Sequence, residues 1–178
     1  MIEISLQLGV WFNAGYCAWK LEHYADAVTC YHRCVSLEPE HFEAWNNLSA
    51  AYIKLGQKER ARKILLEALK FNFEHPKVWE NYLLLCVDTV EFDQAIKAFH
   101  RLLDLNKQQK DDQVLDIIAS NVLRMVKEAS DESSKAQADS LKAELIKLFG
   151  RLSSVQTLSS KVRSSKVFFK IYRKDYQI

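Results

Sequence analysis

Trp11, Trp45 and Trp79 stand 34 residues apart, and so do Ala27, Ala61 and Ala95. Two independent triplets at one period mean that the chain repeats a structural unit of that length. Setting the units at 8–41, 42–75 and 76–109 aligns further positions: Ala14, Leu48 and Tyr82 follow each tryptophan by three, and Ala18, Tyr52 and Cys86 by seven. Such steps mark one face of a helix. In the second half of each unit Tyr31, Leu65 and Phe99 follow the alanine by four, and Cys34, Ala68 and Leu102 by seven, which predicts a second helix. The breaks fall at 21–24, 55–58 and 89–92, and Pro39 and Pro76 lie near unit borders where a helix must stop. Each unit is thus predicted to be a helical hairpin. A lone hairpin cannot bury its apolar face, so the units stack, with Trp11, Trp45, Trp79, Ala27, Ala61 and Ala95 as the expected repeat core.

Composition agrees with helices, since the 178 residues include four glycines and two prolines, too few for a fold rich in turns and strand borders. The apolar runs are too short for a membrane-crossing helix of about 20 residues, and the N-terminal sequence lacks a basic start and an apolar signal core. An intracellular setting, cytoplasmic or nuclear, is the expectation, with no membrane partner. Cys17, Cys30, Cys34 and Cys86 are too few and too irregular for a disulfide framework. Cys30 and Cys34 share a helix face at i, i+4, with His32 nearby, but two aligned thiols fall short of the four converging ligands of a thiolate metal site, so no metal is expected. The chain has no phosphate loop, HExxH or GxSxG motif, and its five histidines are scattered with no nucleophile beside them. No catalytic residue and no cofactor are expected. His41 and His75, at the last position of their units, read as loop or cap residues.

The segments GVWFNAGYCAW…YADAVTCYHRCVSLEPE, EAWNNLSAAYIKLGQKERARKILLEALKF and KVWENYLLLCVDTVEFDQAIKAFHRLLDL carry the pattern Trp, Leu, Gly, Tyr, then Ala, Phe/Tyr, Ala and Pro. That pattern resembles the tetratricopeptide repeat signature over residues 8–109. The resemblance implies an all-α fold, a right-handed α-solenoid of three tetratricopeptide repeat hairpins, and a non-catalytic scaffold for protein partners. The third unit departs from the signature, with Leu83 where Gly15 and Ser49 stand in the first two. The runs LQLGVWF, EAWNNLS, EHPKVWENY, EFDQAIKAFHRLLDL and LFGRL further resemble the C-terminal half of the tetratricopeptide repeat protein 27 family, which implies a piece of a longer protein.

Beyond the repeats, Val114, Ile118, Val122, Met125 and Val126 lie at helical spacing after Asp111 and Asp112, acids that favour a helix N-terminus. The polar stretch 129–135 is expected to break this helix, and Leu141, Leu145, Ile146, Leu148, Phe149 and Leu152 form the stripe of another. Residues 110–152 are therefore expected to be a degenerate fourth hairpin covering the end of the third. Residues 161–178 carry a net charge of +5 against −3 for the other 160 residues. The region 153–178 is expected to be a basic, flexible tail, and any contact with nucleic acid is expected through it alone.

The first helices of stacked hairpins line the concave side, the usual binding surface of a solenoid. Asn13, Asn47 and Asn81 each follow a tryptophan by two, and an amide can both give and accept hydrogen bonds along an extended backbone. This resembles the asparagine ladders of peptide-binding members of the family. Phe12, Tyr16, Lys20, Asn46, Lys54, Lys77 and Glu80 are expected around it, giving a site for a protein or peptide partner. The two-carboxylate clamp that grips chaperone C-terminal tails needs Lys and Asn on the first inner helix, Asn on the second, and Lys and Arg on the third. Asn47 and Lys77 match, whereas Phe12, Tyr16 and Asn81 do not, so the resemblance stops short of chaperone-tail binding. An alternative reading is an RNA-processing scaffold, because Trp79, Tyr82 and Leu83 also resemble the half-a-tetratricopeptide repeats of RNA-associated proteins.

Overall fold

The computed structural model describes residues 2–105 and 112–154. Every regular element among them is a helix: α1 (Ile2–Lys20), α2 (Tyr24–Leu37), α3 (Phe42–Lys54), α4 (Lys58–Phe71), α5 (Pro76–Asp88), α6 (Phe92–Asp104), α7 (Asp112–Glu128) and α8 (Glu132–Ser154). The breaks between the two helices of each repeat are 21–23, 55–57 and 89–91, where the sequence placed them. The expected tail lies outside the described residues from 155 onward, as do residues 106–111.

The three intra-repeat turns share one hydrogen-bond pattern. His23 N–H donates to the Ala18 carbonyl and Glu22 N–H to that of Trp19, and the same pair recurs as Gln57 to Tyr52 with Gly56 to Ile53, and as Glu91 to Cys86 with Val90 to Val87. This is the two-bond closure that satisfies the last carbonyls of a helix, and it needs a left-handed residue just past the helix end. Gly56 supplies it with φ 74°, but Glu22 and Val90, one period away on either side, adopt φ 62° and 64°. A side chain there is held against its own preference, most of all β-branched Val90.

Two compact units divide within α5, residues 1–85 and 86–178, and do not follow the repeat borders. In the first, α1 packs on α2, α2 on α3 and α3 on α4. Gly15 lets the α1 backbone approach α2 closely: a Cβ there would stand 2.8 Å from Cε1 of Tyr31, whose ring is almost wholly buried. Ser49 is the corresponding residue of α3, and its hydroxyl donates to the Ala61 carbonyl at 3.4 Å. Leu83 is fully buried. His41 caps α3, its Nδ1 accepting the Ala44 amide at 3.2 Å.

Ala27, Ala61 and Ala95 are all fully buried, whereas the three tryptophans differ. Trp45 is 6% exposed, stacks near Phe71 and donates its indole N–H to the Pro39 carbonyl at 2.7 Å. Trp79, half-buried, repeats that bond to the Phe73 carbonyl at 2.7 Å and packs edge-on against Phe73. In both cases the acceptor lies six residues earlier, in the loop between hairpins. Trp11 corrects the expectation, being 36% exposed. The residue six before it lies inside α1, so the indole bond to an inter-hairpin carbonyl seen for Trp45 and Trp79 has no counterpart among the described residues.

In the second unit α7 and α8 pack on each other and on α6. α6 contributes Phe92, Ala95, Ile96, Ala98, Phe99 and Leu102 to the core, α7 contributes Val114, Ile118 and Val122, and α8 its buried leucines and Phe149. Met125, Val126 and Ile146 are half-buried. The break between α7 and α8 is shorter than the polar stretch suggested, 129–131 in place of 129–135. Asp131 explains it: its carboxylate accepts the Ser134 amide at 2.9 Å, capping α8 so that the two serines fall inside the helix. The Ser134 hydroxyl and amide hold the Asp131 carboxyl below its ordinary value. Arg151 of α8 reaches back to α6, where it meets the carboxylate of Asp104 and Nδ1 of His100.

Candidate functional site

The expected site residues within 1–85 sit on α1, α3 and α5, and they divide into those held by the fold and those open to a partner. Asn13 is exposed on α1. Asn47 is half-buried and lies near the Tyr31 hydroxyl. Burial pushes the Tyr31 phenol up to about 12, with the Asn47 contact acting against that rise, so the ring stays neutral. Asn81, also half-buried, donates its amide to Oδ1 of Asn46 at 3.0 Å. The three equivalent asparagines therefore hold different surroundings: Asn81 is hydrogen-bonded inside the protein, Asn47 is half-buried near a buried phenol, and Asn13 faces out. An amide beside a buried phenol or another amide satisfies the nearest donor or acceptor before any ligand arrives.

The flanking residues divide in the same way. Phe12 is half-buried, packing edge-on against Tyr31 at 5.8 Å and lying 5.2 Å from the His41 ring, so it supports the α1–α2 hairpin. Lys77 and Glu80 pair with each other at 3.1 Å on the surface of α5. Tyr16 is half exposed, with the Lys20 ammonium 5.2 Å from its ring centre. Lys54 is exposed at the end of α3.

Reading the sequence missed Leu84 and Ile53, both large apolar side chains that are substantially exposed. Leu84 stands at the register of Ala50 and Tyr16, one and two periods earlier, so the repeat alignment carried the signal. It also missed the bridge from α2 to α3, where Nε2 of His32 lies 3.0 Å from the Tyr52 hydroxyl. Burial lowers the pKa of His32, which favours the neutral ring.

Among the described residues no group of three or more His, Cys, Asp or Glu is arranged to hold a metal ion. Cys34 is buried, with its thiol directed at the Leu8 carbonyl and pushed up to about 11 by burial, so it is neither a nucleophile nor a ready ligand. No described helix is long and apolar enough to cross a membrane.

The tetratricopeptide repeat family profile matches residues 18–81. The tetratricopeptide repeat-containing protein trd-1 of Caenorhabditis elegans is 62% identical over 163 residues, 88% of this chain and 21% of that protein. The tetratricopeptide repeat protein 27 homolog of Dictyostelium discoideum is 35% identical over 91 residues, half of this chain and 10% of that protein. The chain thus spans about a fifth or less of these relatives. Among solved structures, the first tetratricopeptide domain of Spaghetti (RPAP3), bound to the HSP90 peptide SRMEEVD, superposes with a TM-score of 0.51 at 17% identity. The match covers 79% of this chain and 97% of that one, a likeness of fold.

Proposed function

The chain belongs to the tetratricopeptide repeat family, whose all-α hairpin solenoid serves as a scaffold for protein–protein interaction, and from that premise we propose that its first helices hold an extended segment of a partner polypeptide. The observation that carries this reading is the Asn46–Asn81 hydrogen bond, which joins the first helices of successive repeats and makes one surface of their polar side chains. On the same first helices Tyr16, Ile53 and Leu84 are exposed and offer apolar contact, and Asn13, Lys20 and Lys54 offer polar groups to solvent. An extended segment needs both kinds of contact, since each hydrogen bond contributes only about 0.5–1.5 kcal/mol net. The solved RPAP3 domain gives a precedent for a bound peptide on this fold. Its ligand chemistry does not carry over: the clamp positions are Phe12, Tyr16 and Asn81 here, and Lys77 is already paired with Glu80. The scaffold is non-catalytic in this reading and works in the cytoplasm or nucleus.

The half-a-tetratricopeptide reading gains no support from the residues that suggested it. Tyr82 and Leu83 are buried, so neither offers an open face for a base to stack on, and the Trp79 indole is tied to a loop through its N–H.

The test is photocrosslinking in cells from an amino acid bearing a benzophenone, placed at position 16 or 54 and, as a control, at exposed position 33 of α2. The expected result is one recurring partner segment from 16 and 54, absent from 33. It should weaken when Asn13, Asn47 and Asn81 are replaced by alanine with helicity retained. Crosslinks indistinguishable from those of the control position would dismiss the proposal.

A further inference from the structure

The charged side chains on the first helices of residues 1–85 are not all matched. On α5 the Lys77 ammonium pairs with Glu80 at 3.1 Å, and on α3 the Glu43 carboxylate lies 3.4 Å from Nδ1 of His41. Lys20 and Lys54, both exposed, have no acidic partner among the described residues. Glu43 is out of reach of Lys54, because the two stand near opposite ends of a 13-residue helix, about 16 Å apart along its axis.

The two lysines share a register, one period apart, and each stands one helical turn after a member of the apolar row of the first helices. Four residues before Lys20 is Tyr16, and the ammonium lies 5.2 Å from its ring centre, so the two occupy one face of α1. Four before Lys54 is Ala50, half-buried, with Ile53 exposed just ahead of the lysine. Leu84 holds the same register on α5 and is 46% exposed. Ala50 is the small member of this row, between the larger Tyr16 and Leu84 in register, and leaves room for a side chain from outside. Repeat three has Asp88 at the register of the lysines, so the surplus of positive charge belongs to repeats one and two.

Resting on the groove reading above, we propose that the segment held by the first helices is acidic. It lays a bulky apolar side chain over Ala50 and brings side-chain carboxylates to the ammonium groups of Lys20 and Lys54. The sign follows from the unmatched charge: a basic segment would meet two like charges, and an uncharged one would gain nothing from either lysine. The carboxylates come from within the segment, since the clamp for a chain-terminal carboxylate is replaced by Phe12, Tyr16 and Asn81.

The test selects binders to the full chain from a phage library of random peptides fused to the amino end of a coat protein, so that none has a free terminal carboxylate. The expected pool is rich in Asp and Glu around a Leu, Phe or Tyr. An enriched peptide should lose about tenfold in affinity when Lys20→Gln and Lys54→Gln are combined. Lys20→Glu with Lys54→Glu should reverse the choice and enrich basic peptides, a gain that a misfolded chain cannot show. The acidic peptide, made with a benzophenone at its apolar residue, should label residues 16–20 or 50–54. Peptides of any charge that label those stretches and ignore both lysines overturn the acidic reading and leave the groove standing. Acidic peptides that label other helices, or a selection that enriches nothing, overturn both.

Discussion

Repeats one and two share a register and differ in surroundings. Trp11 and Trp45 occupy the same position, yet Trp45 is closed beneath a loop with its indole N–H bound to Pro39, while Trp11 is partly open. Gly15 and Ser49 occupy the closest helix crossing, but only the glycine meets a buried aromatic ring. Glu22 and Gly56 close the same turn with the same two bonds, one with strain and the other without. A repeat signature therefore specifies which element a residue joins. How much that residue contributes depends on what its neighbours put around it.

The comparison is most exposed to failure at the tryptophans. Trp45→Ala should cost about 3–5 kcal/mol, the range for emptying a buried aromatic site. Trp11→Ala should cost less, about 1–2 kcal/mol, because part of its surface is already in water. Equal losses in urea denaturation would show that exposure does not separate the two repeats. At the helix crossing, Gly15→Ala should destabilise by about 1–3 kcal/mol, since the Tyr31 ring has little room to move aside. Ser49→Ala tests the other side and should cost less, as its hydroxyl bond is long. If thermal melts put the two in the opposite order, the contrast in packing fails. The turns should give the smallest effect: Gly56→Ala should lose about 1 kcal/mol and Glu22→Gly should gain about 0.5–1 kcal/mol. Opposite signs in the two melts sharpen the comparison, and matching signs break it.

The hairpins were legible because apolar spacing is fixed by helix geometry, and the fully buried alanines follow from it: where helices cross closely, nothing larger fits. Trp11 misled because a period reports register and carries no information on what lies over a helix. The surroundings of the asparagines were hidden for a related reason. Three identical residues at one spacing suggest one task, but Asn47 has a phenol beside it and Asn81 another amide, contacts that depend on Tyr31 and Asn46 in other parts of the repeat. The positive φ of Glu22 and Val90 could have been inferred from Gly56, since the turn geometry recurs even where the glycine does not. The cap at Asp131 was visible as an acid before a helix, yet the serines after it masked the helix start, being residues that favour turns when nothing else constrains them.

The Pro39 carbonyl accepts both the Trp45 indole at 2.7 Å and the Asn72 amide at 3.4 Å, from the two ends of repeat two. Proline has no amide hydrogen of its own to offer in return. A protease must draw several residues into an extended strand before it can cut, and this link has no slack to give while both donors hold it. Nicking between the first and second hairpins would thus report the loosening of repeat two, with the connecting peptide as its tell-tale.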